Sequence, residues 1–419
     1  MSKPAVAIMH YSAPPVIGGV EAVIAAHVRA LSHAGYPVAV LAGRGDAAAL
    51  DARAEFIRIP ELDSLGSAGT SAALLGGRVP REFGTLVGQA RAALAPHLAR
   101  FDVVIVHNIF FKHFNLPLTA ALWRLLDDHV LPGCISWGHD FSWTSPSSRK
   151  AVYDEYPWDL LRKRHPDVTY VVVSARRQDE LAGLFGCGRE EIPVVYNGVE
   201  PDTLLGLSPQ SNELAEHLGI YDRAPVLLMP VRVTRAKNIE LALQVVAALK
   251  QHGARPKLVL TGPPDPHDAA SMAYFNELRG LRRSLGIEDE MTFIFDSGAD
   301  PDRPIYLDAG AVGELYRLAD MLFMPSHREG FGMPVLEAGL AGLPVACSAI
   351  PSAVELAADD VLLFATDDRP DEIAARILAR LEADPTYRLK RRVRGRYTWD
   401  AILRHDIEPL LARAAGASK

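Results

Sequence analysis

The residues best equipped for chemistry gather in one stretch, His327-Arg328-Glu329-Gly330-Phe331-Gly332-Met333-Pro334-Val335-Leu336-Glu337-Ala338. It follows an apolar run, Met321–Met324, that reads as a strand. Pro334 suits the first turn of a helix, where its missing N–H costs nothing. The glycines before it let the backbone come close to a ligand. Free amides and the positive end of the helix dipole then favour a phosphate. Gly330, Phe331, Gly332, Met333 and Val335 are therefore expected to form an anion-binding turn. Glu329 sits in the loop and Glu337 is expected in the first helical turn, so two carboxylates flank one phosphate-sized pocket. Each can accept hydrogen bonds from sugar hydroxyls. An isolated pair of this kind would be a dipole-complementing residue and a surface loop residue; the strand–glycine–proline–helix context favours a ligand role.

Arg232 and Lys237 follow a second apolar strand and offer a planar fork and a compact ammonium, a pair suited to pyrophosphate oxygens. The alternative is two solvated charges at a helix start, but a lysine there opposes the dipole. Gly18 and Gly19 follow Pro14-Pro15 and precede a helix; they read either as a loop closing on a ligand or as a plain strand-to-helix turn. His139, in Trp137-Gly138-His139-Asp140, follows another expected strand and is a candidate catalytic residue, with a structural role as the alternative. His10 and His107 also end strands and are weaker candidates.

The elements that must position these residues alternate in a regular way. Apolar strands are expected at 5–10, 38–42, 56–59, 103–107, 133–137, 169–174 and 193–196, with amphipathic crossovers such as 21–34 and 83–99. Most strands are continuously apolar, as in parallel sheets buried on both faces. Turn chemistry at Asn197-Gly198-Val199-Glu200-Pro201 interrupts the pattern, which then restarts. New strands are expected at 226–232, 257–261, 292–295, 321–324, 345–347 and 361–364, and helices at 239–252, 270–285, 312–319 and 334–341. The expected fold is α/β: two Rossmann-like, doubly wound parallel-sheet domains, 1–200 and 201–399, facing a cleft where ligands bind beyond the strand ends. A last helix near 400–415 is expected to pack back on the first domain.

Composition narrows the classes. With 419 residues, 49% hydrophobic and 23% charged, the chain suits two globular domains. A net charge of −7 argues against a nucleic-acid surface. The one basic cluster, 388–396, reads as a solvated face. Cys134, Cys187 and Cys347 lack metal or disulfide spacing and fit a reducing compartment. Without an export signal or a membrane-length apolar run, a cytoplasmic location is expected. Residues 109–126 leave open a peripheral membrane contact or a buried connecting helix. Asp300-Pro301-Asp302 resembles a metal-binding DxD, but its Gly/Pro/Asp context reads as a solvent loop, and no metal is expected.

The Glu329-to-Glu337 segment resembles the E-x7-E motif of retaining glycosyltransferases of the GT-B fold, most closely family 4. The likeness extends to Gly18-Gly19-Val20-Glu21, Asn197-Gly198-Val199, Arg232 with Lys237, and Ala319-Asp320. It implies a nucleoside-diphosphate sugar as co-substrate and an acceptor hydroxyl entering from the first domain, with no further cofactor. By this resemblance Glu329 holds the donor sugar, Glu337 the ribose hydroxyls, and Arg232 with Lys237 the diphosphate. Gly18 and Gly19 close over that diphosphate, and His139 resembles the family's histidine near the sugar. The family's proposed mechanism lets a donor phosphate oxygen take the acceptor proton, so no dedicated protein base is required. The run 296–311 is longer and more acidic than the family's short turn, which leaves the base (uracil, guanine or adenine) open. Rival readings are an epimerase or phosphorylase on the same fold and a non-catalytic nucleotide-sugar-binding module. A dinucleotide oxidoreductase would want G-x-G-x-x-G, which the first turn lacks.

Overall fold

The computed structural model describes residues 3–64, 68–265, 269–298 and 303–417. The chain forms two compact units, one running to Val199 and resuming at Tyr397, the other spanning Glu200–Arg396.

The first unit holds six strands: β1 (Val6–Ser12), β2 (Val38–Arg44), β3 (Glu55–Arg58), β4 (Val103–His107), β5 (Gly133–Gly138) and β6 (Val168–Val172). They pair in the order β3-β2-β1-β4-β5-β6, every pair parallel. Alternation along β1 explains the layers. Ala7, Met9 and Tyr11 enter one apolar cluster with the helices on one face, while Val6 and Ile8 enter another on the opposite face. Both faces are covered, so the strands read as continuous apolar runs. The chain from Trp399 completes the second face, with Trp399, Ile402, Leu403, Ile407, Leu410 and Leu411 packed among β-sheet side chains. It runs as Trp399–Ile402, a wider turn over Leu403–Ile407 and then Glu408–Ala417.

The second unit repeats the plan with β7 (Val226–Met229), β8 (Lys257–Leu260), β9 (Met291–Phe293), β10 (Met321–Met324), β11 (Val345–Ser348) and β12 (Leu362–Phe364). Its order, β9-β8-β7-β10-β11-β12, is again all parallel, the same winding as the first sheet. The expected fold class is thus found in both units. In such sheets the switch of winding direction falls between the first and fourth strands, and loops beyond the carboxyl ends there form ligand crevices.

Several expected boundaries move for physical reasons. Segment 193–196 makes only an isolated bridge, Val172 to Val194, because Pro193 cannot donate to a ladder. β7 ends at Met229, before Pro230. Residues Ile294–Asp296 form a 3-10 turn rather than extending β9. The 109–126 stretch is interior: Ile109, Phe110 and Phe111 are buried, and most of the helix Leu116–Asp127 with them. Among the described residues no helix is long and apolar enough to cross a membrane. The basic cluster is not wholly solvated either. Arg394 is buried and forks onto Asp320, with Nη1 donating to Oδ1 at 3.1 Å and Nη2 to Oδ2 at 2.7 Å.

Candidate functional site

In the second unit, β10 delivers the chain into the turn that carries both glutamates. Ser326, buried just past β10, donates its hydroxyl to Glu329 Oε1 at 2.6 Å. Ser348, at the end of β11, donates in turn to the Ser326 carbonyl. The neighbouring strand therefore fixes the first carboxylate of the motif. The amide of His327 donates to the Ala236 carbonyl at 2.9 Å, tying this loop to the 3-10 turn Arg235–Lys237 after β7.

That tie brings two candidates together. Lys237 Nζ donates to Glu329 Oε1 at 2.7 Å and to Oε2 at 2.6 Å. Their side chains are only 20% and 13% exposed. Asn238, left-handed at φ 49°, ends the turn and starts the helix Ile239–Gln251, so the lysine is held at a helix start. Arg232 is not drawn into this pair. It is exposed, and among the described residues its ion pair is with Asp265 at 3.6 Å.

The glycine turn has the expected form. Gly332 adopts φ 102°, a left-handed geometry that a side chain would strain, and the helix Met333–Leu340 begins immediately after it with Pro334 in its first positions. A Cβ at Gly330 would meet nothing within 4 Å. Phe331 and Met333 are exposed beside them. Val335 behaves differently from its neighbours: its side chain is buried in the core and its amide closes on the Gly332 carbonyl at 2.9 Å. It supports the turn and has no free amide to offer. Glu337 is the fifth residue of the helix rather than part of its first turn. Helical side chains lean toward the N-terminus, so its carboxylate still reaches back over the turn. There it accepts a hydrogen bond from Tyr316, on the helix Ala309–Leu318, at 2.6 Å. Neither Tyr316 nor Ser326 is visible as a site residue in the sequence, because each acts on a carboxylate far along the chain or around a turn.

In the first unit, Gly18 caps the helix Gly19–His33 in extended conformation. A Cβ on Gly18 would meet Glu21 Oε2 at 2.1 Å, whereas one on Gly19 would meet nothing within 4 Å. Glu21 is itself buried and accepts from Ser12 at 2.6 Å, so Gly18 makes room for a fixed carboxylate.

The histidine candidates form one row at the ends of three adjacent strands, β1, β4 and β5. His10 donates from Nδ1 to the His107 carbonyl at 2.9 Å, and His107 Nδ1 lies 3.0 Å from His139 Nε2. Asn108, left-handed at φ 58°, accepts the His139 amide on its side chain at 2.9 Å and so sets that residue's backbone. Behind them His27 packs edge-on against Trp137 and Trp399, with neither ring nitrogen hydrogen-bonded. Burial holds these imidazoles neutral. The pKa of His139 falls to about 3, through burial and then His10. His27 likewise falls to about 3, and His107 lies well below the ordinary range. His10 is lowered too, by burial.

Among the described residues no group of three or more His, Cys, Asp or Glu side chains is placed to hold a metal ion. Asp300-Pro301-Asp302 lies outside the described residues.

Comparison with known proteins bears on the family and the fold. The family described as Glycosyltransferase Family 4 matches residues 17–203, and Glycosyl transferases group 1 matches residues 210–396. An uncharacterized glycosyltransferase of Methanocaldococcus jannaschii is 27% identical over 57% of this chain and 58% of its own. The mannosylglucosylglycerate synthase of Petrotoga mobilis is 27% identical over 58% of each chain. The matched part is thus somewhat over half the length of these curated relatives. Among solved structures, the sucrose-phosphate synthase of Thermosynechococcus elongatus is 19% identical over 99% of this chain and 100% of that one, with a TM-score of 0.39. The two family matches follow one another in order and fall one in each unit; the chain belongs to the group 1 glycosyltransferases of the GT-B fold.

Proposed function

We propose that the chain transfers a sugar from a nucleoside-diphosphate sugar to an acceptor hydroxyl, with retention at the anomeric carbon and without a metal ion. The observation that carries this reading is the Lys237–Glu329 pair beside the glycine turn of Met333–Leu340. It sets an ammonium and a carboxylate in contact with each other in the second unit, whose glycine turn starts a helix. A diphosphate takes the ammonium and the helix start, and a sugar hydroxyl takes the carboxylate. Arg232, exposed and weakly held by Asp265, is available to the outer phosphate oxygens. These groups supply the charge stabilisation that a departing diphosphate requires. In this reading Gly18 and Gly19 serve the donor diphosphate, and His139 serves the sugar as a neutral hydrogen-bonding group. The free thiols Cys134, Cys187 and Cys347 are in keeping with a cytoplasmic setting.

The test is a thermal-shift panel of UDP-, GDP- and ADP-sugars, followed by NMR of the product's anomeric configuration in buffer with EDTA. A true donor stabilises by about 2.7 kcal/mol at a hundredfold excess over its dissociation constant. Inversion of configuration would remove the retaining assignment, and loss of turnover in EDTA that magnesium or manganese restores would remove the metal-free one. Released free sugar phosphate in place of nucleoside diphosphate would favour a phosphorylase.

A further inference from the structure

Tyr316 is not part of the E-x7-E segment, yet its hydroxyl ends on that segment's second carboxylate. The residue is almost fully buried, its ring packed in the core of the second unit. Its O–H lies 2.6 Å from Glu337 Oε2 and 3.5 Å from the Pro334 carbonyl. A carboxylate can only accept, so the proton sits on the phenol. Burial, and then the carboxylate itself, push the phenol's pKa far above its ordinary value. Tyr316 is therefore a permanent donor. Glu337, by contrast, is exposed and could otherwise swing into solvent. Among the described residues Tyr316 provides the one hydrogen bond to the Glu337 side chain.

We propose that Tyr316 is a positioning residue for nucleotide recognition: it holds Oε2 of Glu337 so that the carboxylate faces the vicinal diol of the donor's ribose. This rests on the reading of Glu337 as the ribose-binding carboxylate. A long, exposed glutamate loses side-chain entropy when it binds a ligand. One oxygen already anchored to a buried phenol means that much of this loss is taken on folding. The same hydroxyl also reaches the first turn of the helix at Pro334, so the carboxylate and the glycine turn keep one spacing. The site then discriminates a ribose diol from a sugar that lacks it.

The experiment compares Tyr316→Phe, which removes one oxygen and leaves the ring, with the wild type and with Glu337→Ala. Dissociation constants are measured by calorimetry for UDP, GDP and ADP and for their 2′,3′-dideoxy counterparts. The wild type is expected to prefer the ribose form. Tyr316→Phe is expected to weaken the ribose form about tenfold, the size of a hydrogen bond to a charged group, and to leave the dideoxy form unchanged. In transfer assays KM for the donor rises while kcat holds. Equal weakening of both forms would mean that Tyr316 merely supports the helix, and would overturn the proposal. If Glu337→Ala itself keeps the wild-type preference for ribose, or if the wild type binds none of the nucleotides, the underlying reading of Glu337 fails instead. Circular dichroism on each variant checks that the fold is kept.

Discussion

Lys237 and Glu329 satisfy one another: both oxygens of the carboxylate lie within 2.7 Å of the ammonium. Either charge alone, this far out of solvent, would be costly. The pair is therefore a resting arrangement that a diphosphate must open to reach the lysine.

That relationship makes the two members behave oppositely toward a nucleoside diphosphate. Glu329→Gln keeps the shape and releases Lys237, so binding of the diphosphate alone is expected to tighten. Transfer should nevertheless fall by about a hundredfold, as for loss of one charged contact at a reacting centre. Lys237→Ala should weaken the same binding and leave an uncompensated carboxylate, costing roughly 1–3 kcal/mol of stability. Calorimetry with the nucleoside diphosphate decides; parallel loss of affinity in both variants would sink this account.

The sequence is legible here to a definite depth. Fold class and the glycine turn were readable because continuous apolar strands and a Gly-Met-Pro helix start each follow from local physics. The Lys237–Glu329 pair was foreseeable only as two residues bound for the same ligand, not as partners. Tyr316 and Ser326 could not be read, because a hydroxyl gives no local signal of the carboxylate it will meet. Glu337 was placed one helical position too early, since the left-handed Gly332 and not Pro334 decides where the helix begins.

Gly18 and Gly19 separate steric need from ligand contact. Gly18→Ala must push aside the Glu21 carboxylate that Ser12 holds, and should cost about 1 kcal/mol or more. Gly19→Ala has open space and gains helix propensity, so stability should hold or rise by up to about 1 kcal/mol. If the Gly19 backbone lies against the donor diphosphate, its added methyl still raises donor KM. Urea melts beside steady-state kinetics test this, and wild-type KM in a stable Gly19→Ala would remove Gly19 from the donor site.

The Arg394–Asp320 fork is a structural pair. Asp320 is buried and also accepts the Val226 amide at 2.8 Å, so it joins β7 to the basic C-terminal helix of the second unit. Removing one partner leaves a buried charge, and Arg394→Ala should cost about 3–5 kcal/mol. Replacing both by apolar residues should cost less than the single change. Equilibrium unfolding of the two variants distinguishes this from a solvated helix face, where Arg394→Ala would cost under about 0.5 kcal/mol.

The histidines of the first unit set its response to acid. His27, His107 and His139 have folded-state pKa values well below their ordinary 6.5, through burial. The unfolded chain therefore takes up protons first, at about pH 6.5. Stability is full above that pH and declines as pH falls toward 3. Each such histidine kept neutral costs on the order of 1 kcal/mol for every pH unit below about 6.5. His27→Phe isolates one of these histidines. Its ring nitrogens have no partners, so a phenyl ring should fit between Trp137 and Trp399 at little cost. The variant should match or exceed wild-type stability at pH 8 and lose on the order of 1 kcal/mol per pH unit less than wild type below pH 6. Denaturant melts between pH 8 and 5 measure the difference, and an unchanged slope would mean that His27 is already charged or already bonded in the folded protein.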